Sequence, residues 1–139
     1  MRPSEVRAVG AWQVVAVDPH LMRSTRAQFS GLLRATDRSD EEIEVGTIIL
    51  GELLANACEH GQLPVGVELR ETRGEFTLAV TDNGRGITRP VFRDPNSLRG
   101  RGLAIIEALG ATITFFSRPS SRVEVVLPFT RGDSPAKSA

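Results

Sequence analysis

The sequence predicts an α+β fold, a two-layer sandwich in which a mixed, mostly antiparallel sheet carries its helices on one face. Three observations lead there. Strand-like segments come in consecutive pairs, whereas a doubly wound parallel sheet needs strict alternation of strand and helix. Three other stretches carry apolar residues at helical spacing. The 139 residues, 40% of them hydrophobic, suffice for one core, and neither an internal repeat nor a shift of composition marks a second domain.

In chain order, residues 1–10 read as an N-terminal extension, residues 11–129 as the domain, and residues 130–139, small and polar, as a disordered tail. The Val-rich stretch Ala11 to Val17 reads as a first strand, ended by Asp18-Pro19. Met22, Phe29, Leu32 and Leu33 recur at helical spacing and predict a helix from Leu21 to Ala35. Ser39-Asp40-Glu41-Glu42 reads as a capping box, with acids at the positive end of the helix dipole. The helix it opens is expected to run to His60, to stop at Gly61 and to be apolar nearly all round, as in a buried element. Val65 to Glu71 and Phe76 to Thr81 read as a hairpin turning through Thr72-Arg73-Gly74-Glu75. A Gly-, Pro- and Arg-rich loop then covers about Asn83 to Arg99 and, as the longest stretch without pattern, is a functional candidate. Leu103 to Leu109 predicts a third helix ending at Gly110, and Ala111 to Ser117 and Val123 to Phe129 predict the last strands.

Composition removes several chemistries. Basic and acidic side chains number 17 each, for a net charge of zero, which argues against a broad basic surface for nucleic acid. The only lysine is Lys137, so neither a Walker A loop nor the strand lysine of a eukaryotic-type protein kinase can be built. One cysteine, Cys58, rules out an intrachain disulfide and a CxxC pair, and His20 and His60 alone make a His-rich metal site improbable. No apolar run has the length of a membrane span, and the N-terminus lacks the order of a secretory signal. The expectation is a cytoplasmic protein.

Three short motifs carry candidate chemistry. Glu52 and Asn56 stand at i and i+4 on the second helix, neighbours about 6 Å apart on one face. They fit a proton-abstracting acid beside an amide oxygen suited to Mg²⁺, or else a rim acid beside a structural amide. Asp82-Asn83-Gly84-Arg85-Gly86 follows a strand; its carboxylate and glycines suit the close approach of a flat ligand, or a tight turn. Arg99-Gly100-Arg101-Gly102-Leu103 precedes the third helix, whose free N–H groups suit an anion.

In this order, ExxxN on a helix, DxGxG after a strand and GxG before a helix resemble the N, G1 and G2 boxes of the GHKL superfamily of ATPases, which takes in gyrase and the histidine kinases. The resemblance spans about Leu21 to Phe129 and implies the Bergerat-type ATP-binding fold. The run Gly51-Glu52-Leu53-Leu54-Ala55-Asn56-Ala57-Cys58-Glu59-His60-Gly61 is most similar to the bacterial anti-sigma factor serine/threonine kinase branch. The resemblance implies ATP and Mg²⁺ as cofactors, with the metal on Asn56 and Glu52 as general base. It implies that Asp82 accepts from the adenine amino group, that Gly84 and Gly86 shape the adenine pocket, and that Gly100, Arg101, Gly102 and Leu103 belong to the phosphate-wrapping box beneath a lid from Ile87 to Leu98. Arg99 and Arg101 are the candidates for the γ-phosphate. The family's Gly-Thr before the last strand is Ser120-Ser121 here, so Ser121 keeps a hydroxyl near the purine while Ser120 loses glycine's freedom.

The implied function is an ATP-dependent serine/threonine kinase that phosphorylates a small anti-anti-sigma (STAS-type) partner, can sequester a sigma factor, and belongs to a branch in which homodimers are common. Two alternatives are a nucleotide-dependent binding switch without kinase activity and a detached histidine kinase ATP-binding domain. His20 lacks the following acid and helical hairpin that a phosphoacceptor needs. The zero net charge conceals two opposed regions, +4 between Arg85 and Arg101 and −6 between Asp40 and His60, which suggests a polarised site for phosphates and metal.

Overall fold

The computed structural model of the protein describes residues 6–60, 62–83, 98–116 and 120–130, with the backbone alone for residues 60 and 98–102. The elements are β1 (Val6–Val14), α1 (Pro19–Ala35), α2 (Asp40–His60), β2 (Val65–Thr72), β3 (Glu75–Thr81), α3 (Leu98–Ala108), β4 (Thr112–Phe116) and β5 (Arg122–Val126). The strands form one sheet in the order β1-β2-β3-β5-β4. Every pairing in it is antiparallel, so the α+β sandwich stands and the expected mixed character of the sheet does not.

Burial alternates along the sheet, and that alternation decides which face the helices cover. Val65, Val67, Leu69, Phe76, Leu78, Val80 and Val125 join Phe29 and Leu33 of α1, Leu50 and Leu54 of α2, and Leu103 and Ile106 of α3 in one core. On the opposite face Glu124 accepts from Arg70 at 3.0 Å and from Arg122 at 2.7 Å. Ala79 lies between Glu68 and Glu124 in the register, and it is buried on that polar face. The β2–β3 turn has positive φ at both Arg73 and Gly74, the type I′ geometry that suits a two-residue hairpin.

Several boundaries differ from expectation, each for a local reason. β1 begins at Val6 and ends at Val14, so residues 6–10 belong to the sheet and not to an extension. A bulge between Ala8 and Gly10 breaks the alternation that would have revealed the strand. Val15 and Val17, expected in that strand, are 64% and 63% exposed. Asp18 and Pro19 open α1: the Asp18 carboxylate accepts from the His20 N–H at 3.1 Å, and Pro19 stands at the helix start, where its missing N–H costs nothing. β5 stops at Val126; Leu127 still donates to the Phe76 carbonyl, but Pro128 has no N–H to continue the ladder. α3 begins at Leu98, five residues before the expected Leu103, so the Gly-Arg run forms its first turns instead of preceding it. It ends as expected, with Gly110 at φ +95°. Gly61 and the tail from Arg131 lie outside the described residues.

α2 is the central helix, packed on α1, α3, β2 and β3. Its capping box is formed: the Glu42 N–H donates to Ser39 Oγ and the Ser39 N–H to Glu42 Oε1, both at 3.1 Å. The helix is not buried all round, because Ile48 is 39% exposed. Glu42 has a second role. Its Oε2 accepts from the Thr130 N–H at 2.8 Å and the Thr130 hydroxyl at 2.9 Å. Arg38 donates to the Thr130 carbonyl at 2.9 Å, with its guanidinium 5.3 Å from the Phe76 ring and 5.6 Å from that of Phe129. The end of the described chain is thus clamped to the corner between α1 and α2.

Candidate functional site

Two of the three expected motifs meet at one end of the sheet. Thr81 pairs with Arg122 in the β3–β5 ladder, so the next position in each strand brings Asp82 to Ser121. The Asp82 N–H donates to the Ser121 carbonyl at 3.0 Å. Both residues are only 8% exposed, and Thr25 is the one other buried polar residue among those described. The Thr25 hydroxyl donates to the Leu21 carbonyl at 3.0 Å, a local helical bond. Asp82 and Ser121 instead sit together at a strand terminus, with Asp82 engaged in an interaction of its own.

The helix motif reaches the same end through the loop after α2. The Asn83 N–H donates to the Gln62 carbonyl at 2.8 Å, which ties the exit of α2 to the turn that Asp82 opens. Asn56 lies four residues before the helix end at His60, hence about 6 Å along the axis from it. Glu52 lies one further turn back. Both are half-buried, at the border between the buried Leu53 and Leu54 and the exposed Ala55. The Asn56 Oδ1 is buried and accepts no hydrogen bond. A buried, unpartnered amide oxygen costs about 1–3 kcal/mol, and a hard cation is a ligand that would satisfy it. No cationic side chain or hydrogen-bond donor holds Glu52 among the described residues, so its carboxylate is available to a reacting group.

Among the described residues there is no group of three His, Cys, Asp or Glu side chains that could hold a metal. The Asn56 amide oxygen fits a Mg²⁺ that would take its other ligands from phosphate oxygens and water, the usual habit of that ion.

The remaining expectations are distributed differently. Gly84, Gly86 and the lid up to residue 97 lie outside the described residues, as do the side chains of Arg99 and Arg101. The backbone of Gly100, Arg101 and Gly102 is helical. The N–H groups of residues 98–101, as the first four of α3, have no partner within the helix, so anion binding there would come from the helix start itself and not from a loop before it. Leu103 is 1% exposed in the core, which leaves its backbone alone able to face a ligand. The proposed acidic pole also contracts. Of the acids in α2, Asp40, Glu41, Glu42 and Glu44 occupy the first turns, and Glu42 serves the cap and the clamp. Glu42 and Glu52 are ten residues, about 15 Å, apart. The contact between Gln62 and Asn83 could not have been read from the sequence, because neither residue belongs to a periodic segment.

The family model described as a histidine kinase-like ATPase domain matches residues 15–126. No curated protein matches the chain.

Proposed function

The chain belongs to the histidine kinase-like ATPase family, and from that premise we propose that it is an ATP-binding regulatory protein serine/threonine kinase of the anti-sigma factor type. Its acceptor would be a small anti-anti-sigma-like (STAS-type) protein, and a sigma factor a second partner. The observation that carries the reading is the pair on α2: a half-buried Glu52, without a partner among the described residues, one turn from the orphaned Oδ1 of Asn56.

Each residue has a role that its surroundings allow. Asn56 would hold Mg²⁺ through Oδ1. Asp82, buried at the strand end, would accept from the exocyclic amine of adenine, with Ser121 beside it on the same purine edge. The start of α3 would direct its free N–H groups at phosphate oxygens. Glu52 would take the proton from the acceptor hydroxyl as that oxygen attacks phosphorus. Bound Mg²⁺-ATP supplies the phosphoryl group and ADP leaves. A binding switch without turnover would need the nucleotide residues but not a free carboxylate beside Asn56.

The test uses γ-labelled ATP and a panel of STAS-type proteins from the same genome. Wild type is expected to label one of them, while Glu52→Ala binds ATP as wild type does and loses about 10²–10⁴-fold in transfer rate, the range for removal of a general base. Transfer at the wild-type rate by Glu52→Ala would remove Glu52 from the mechanism.

A further inference from the structure

The C-terminal end of β3 is held by two backbone bonds that belong to no ladder. β3 pairs with β2 as far as Thr81 opposite Gly66, and with β5 as far as Thr81 opposite Arg122. Val65, the first residue of β2, pairs with Val14 of β1 and not with β3. Beyond Thr81 the next two N–H groups go to different elements. That of Asp82 donates to the Ser121 carbonyl at 3.0 Å, and that of Asn83 to the Gln62 carbonyl at 2.8 Å. Continued, the β2–β3 register would set Asn83 opposite Pro64. The bond instead reaches Gln62, two residues nearer to α2.

This makes a short mechanical path between the two ends of the candidate site. Gln62 is two residues past His60, the last of α2, and Asn56 stands about one turn before that end. One helical turn, two connecting residues and one hydrogen bond therefore join the Asn56 amide to the turn that carries the Asp82 carboxylate. The Asn83 side chain is exposed, and the tie is made by its backbone alone. In the proposed function these two residues take opposite ends of one ligand, adenine at Asp82 and the metal-bound phosphates at Asn56. A ligand gripped at both ends gains fully from the second contact only when the spacing between the contacts is already set.

We propose that Asn83 is a positioning residue which, through its N–H, couples base recognition to metal recognition. Held by Gln62, the base-accepting turn keeps a fixed distance from the last turns of α2. Occupancy of either end then raises the affinity of the other, and by the same factor in both directions. The inference rests on the nucleotide-binding part of the reading above and is independent of phosphoryl transfer. It also defines the ligand: a site tied in this way favours a nucleotide long enough to reach both ends over either half alone.

The test is a double-variant cycle on the full chain. The α-hydroxy analogue of asparagine at position 83 turns the 82–83 peptide bond into an ester, which deletes the N–H and keeps the side chain. Affinity for a fluorescent ATP analogue in Mg²⁺ is measured for wild type, Asn56→Ala, the ester, and the two combined. The loss caused by Asn56→Ala is expected to shrink by about fivefold or more in the ester background, the scale of coupling between linked sites. A bond that served structure alone would leave the two losses independent, and they would multiply. Multiplying losses would overturn the coupling and leave ATP binding by this site intact. Asn83→Ala retains the N–H and should retain the coupling; its disappearance there would give the role to the side chain and overturn the assignment to the backbone. If the ester at position 83 prevents folding, an ester at position 63, which weakens the Gln62 carbonyl as an acceptor, tests the same bond from its other side with the same two outcomes. If wild type does not bind the ATP analogue, the nucleotide reading fails and the coupling with it.

Discussion

At the scale of single residues, the roles proposed for Asn56 and Asp82 are separable by experiment. If the Asn56 amide oxygen exists to hold Mg²⁺, Asn56→Ala weakens ATP binding only when the metal is present. Titration calorimetry in Mg²⁺ should then show a loss of about tenfold, the scale of a charge-assisted contact, while in EDTA variant and wild type bind alike. An equal loss in both buffers would assign the amide to structure. Asp82→Ala should behave differently, weakening binding by about tenfold or more with and without Mg²⁺, because a hydrogen bond to a charged group contributes about 1.5–3 kcal/mol. Residue types and spacing single out both positions in the sequence. That Asp82 would lie against Ser121 is not legible there, since it depends on the register of β3 with β5, and no local pattern encodes register.

At the scale of elements, legibility follows how local the determining interaction is. α2 was placed to the residue at its start because Ser39 and Glu42 close the capping box within four positions. The β2–β3 hairpin is equally plain, since Gly74 suits positive φ between two alternating stretches, although Arg73 adopts positive φ as well. The limits of β1 are hidden in the sequence because they come from pairing with β2, and its bulge shifts the alternation by one residue. The start of α3 is hidden in the sequence because glycines at positions 100 and 102 read as loop, although a helix tolerates them at a cost of about 1 kcal/mol each. The α2 start also gives an energetic prediction. Ser39→Ala should cost about 1 kcal/mol in urea unfolding, as the loss of an N-cap. Glu42→Ala should cost more, since it removes cap and clamp together. The double variant should lose less than the sum, because the two side chains share one network.

At the scale of the whole molecule, several charges are paired locally among the described residues. The outer sheet face pairs Arg70 and Arg122 with Glu124, and the α1–α2 corner pairs Arg38 with Glu42. Partial burial pushes the Glu42 carboxyl up, but hydrogen bonds from the N–H groups of Ser39 and Thr130 and from the Thr130 hydroxyl, with the charge of Arg38, outweigh it and hold the group below its ordinary value. A carboxyl depressed in the folded state stabilises the fold above its unfolded pKa and loses that contribution as pH falls through its folded pKa. Acid titration of stability should therefore show wild type declining through that window and Glu42→Gln declining less.

The same corner bears on how long the folded state lasts. The Glu42–Thr130 contact closes a loop of 88 residues, and loops of that span are costly to close before the rest of the sheet exists. A tie formed so late is absent from the folding transition state and is broken early in unfolding. Thr130→Val is accordingly expected to accelerate unfolding in stopped-flow measurements while leaving the folding limb of the chevron unchanged, which would make the last described residue a brake on the opening of the molecule.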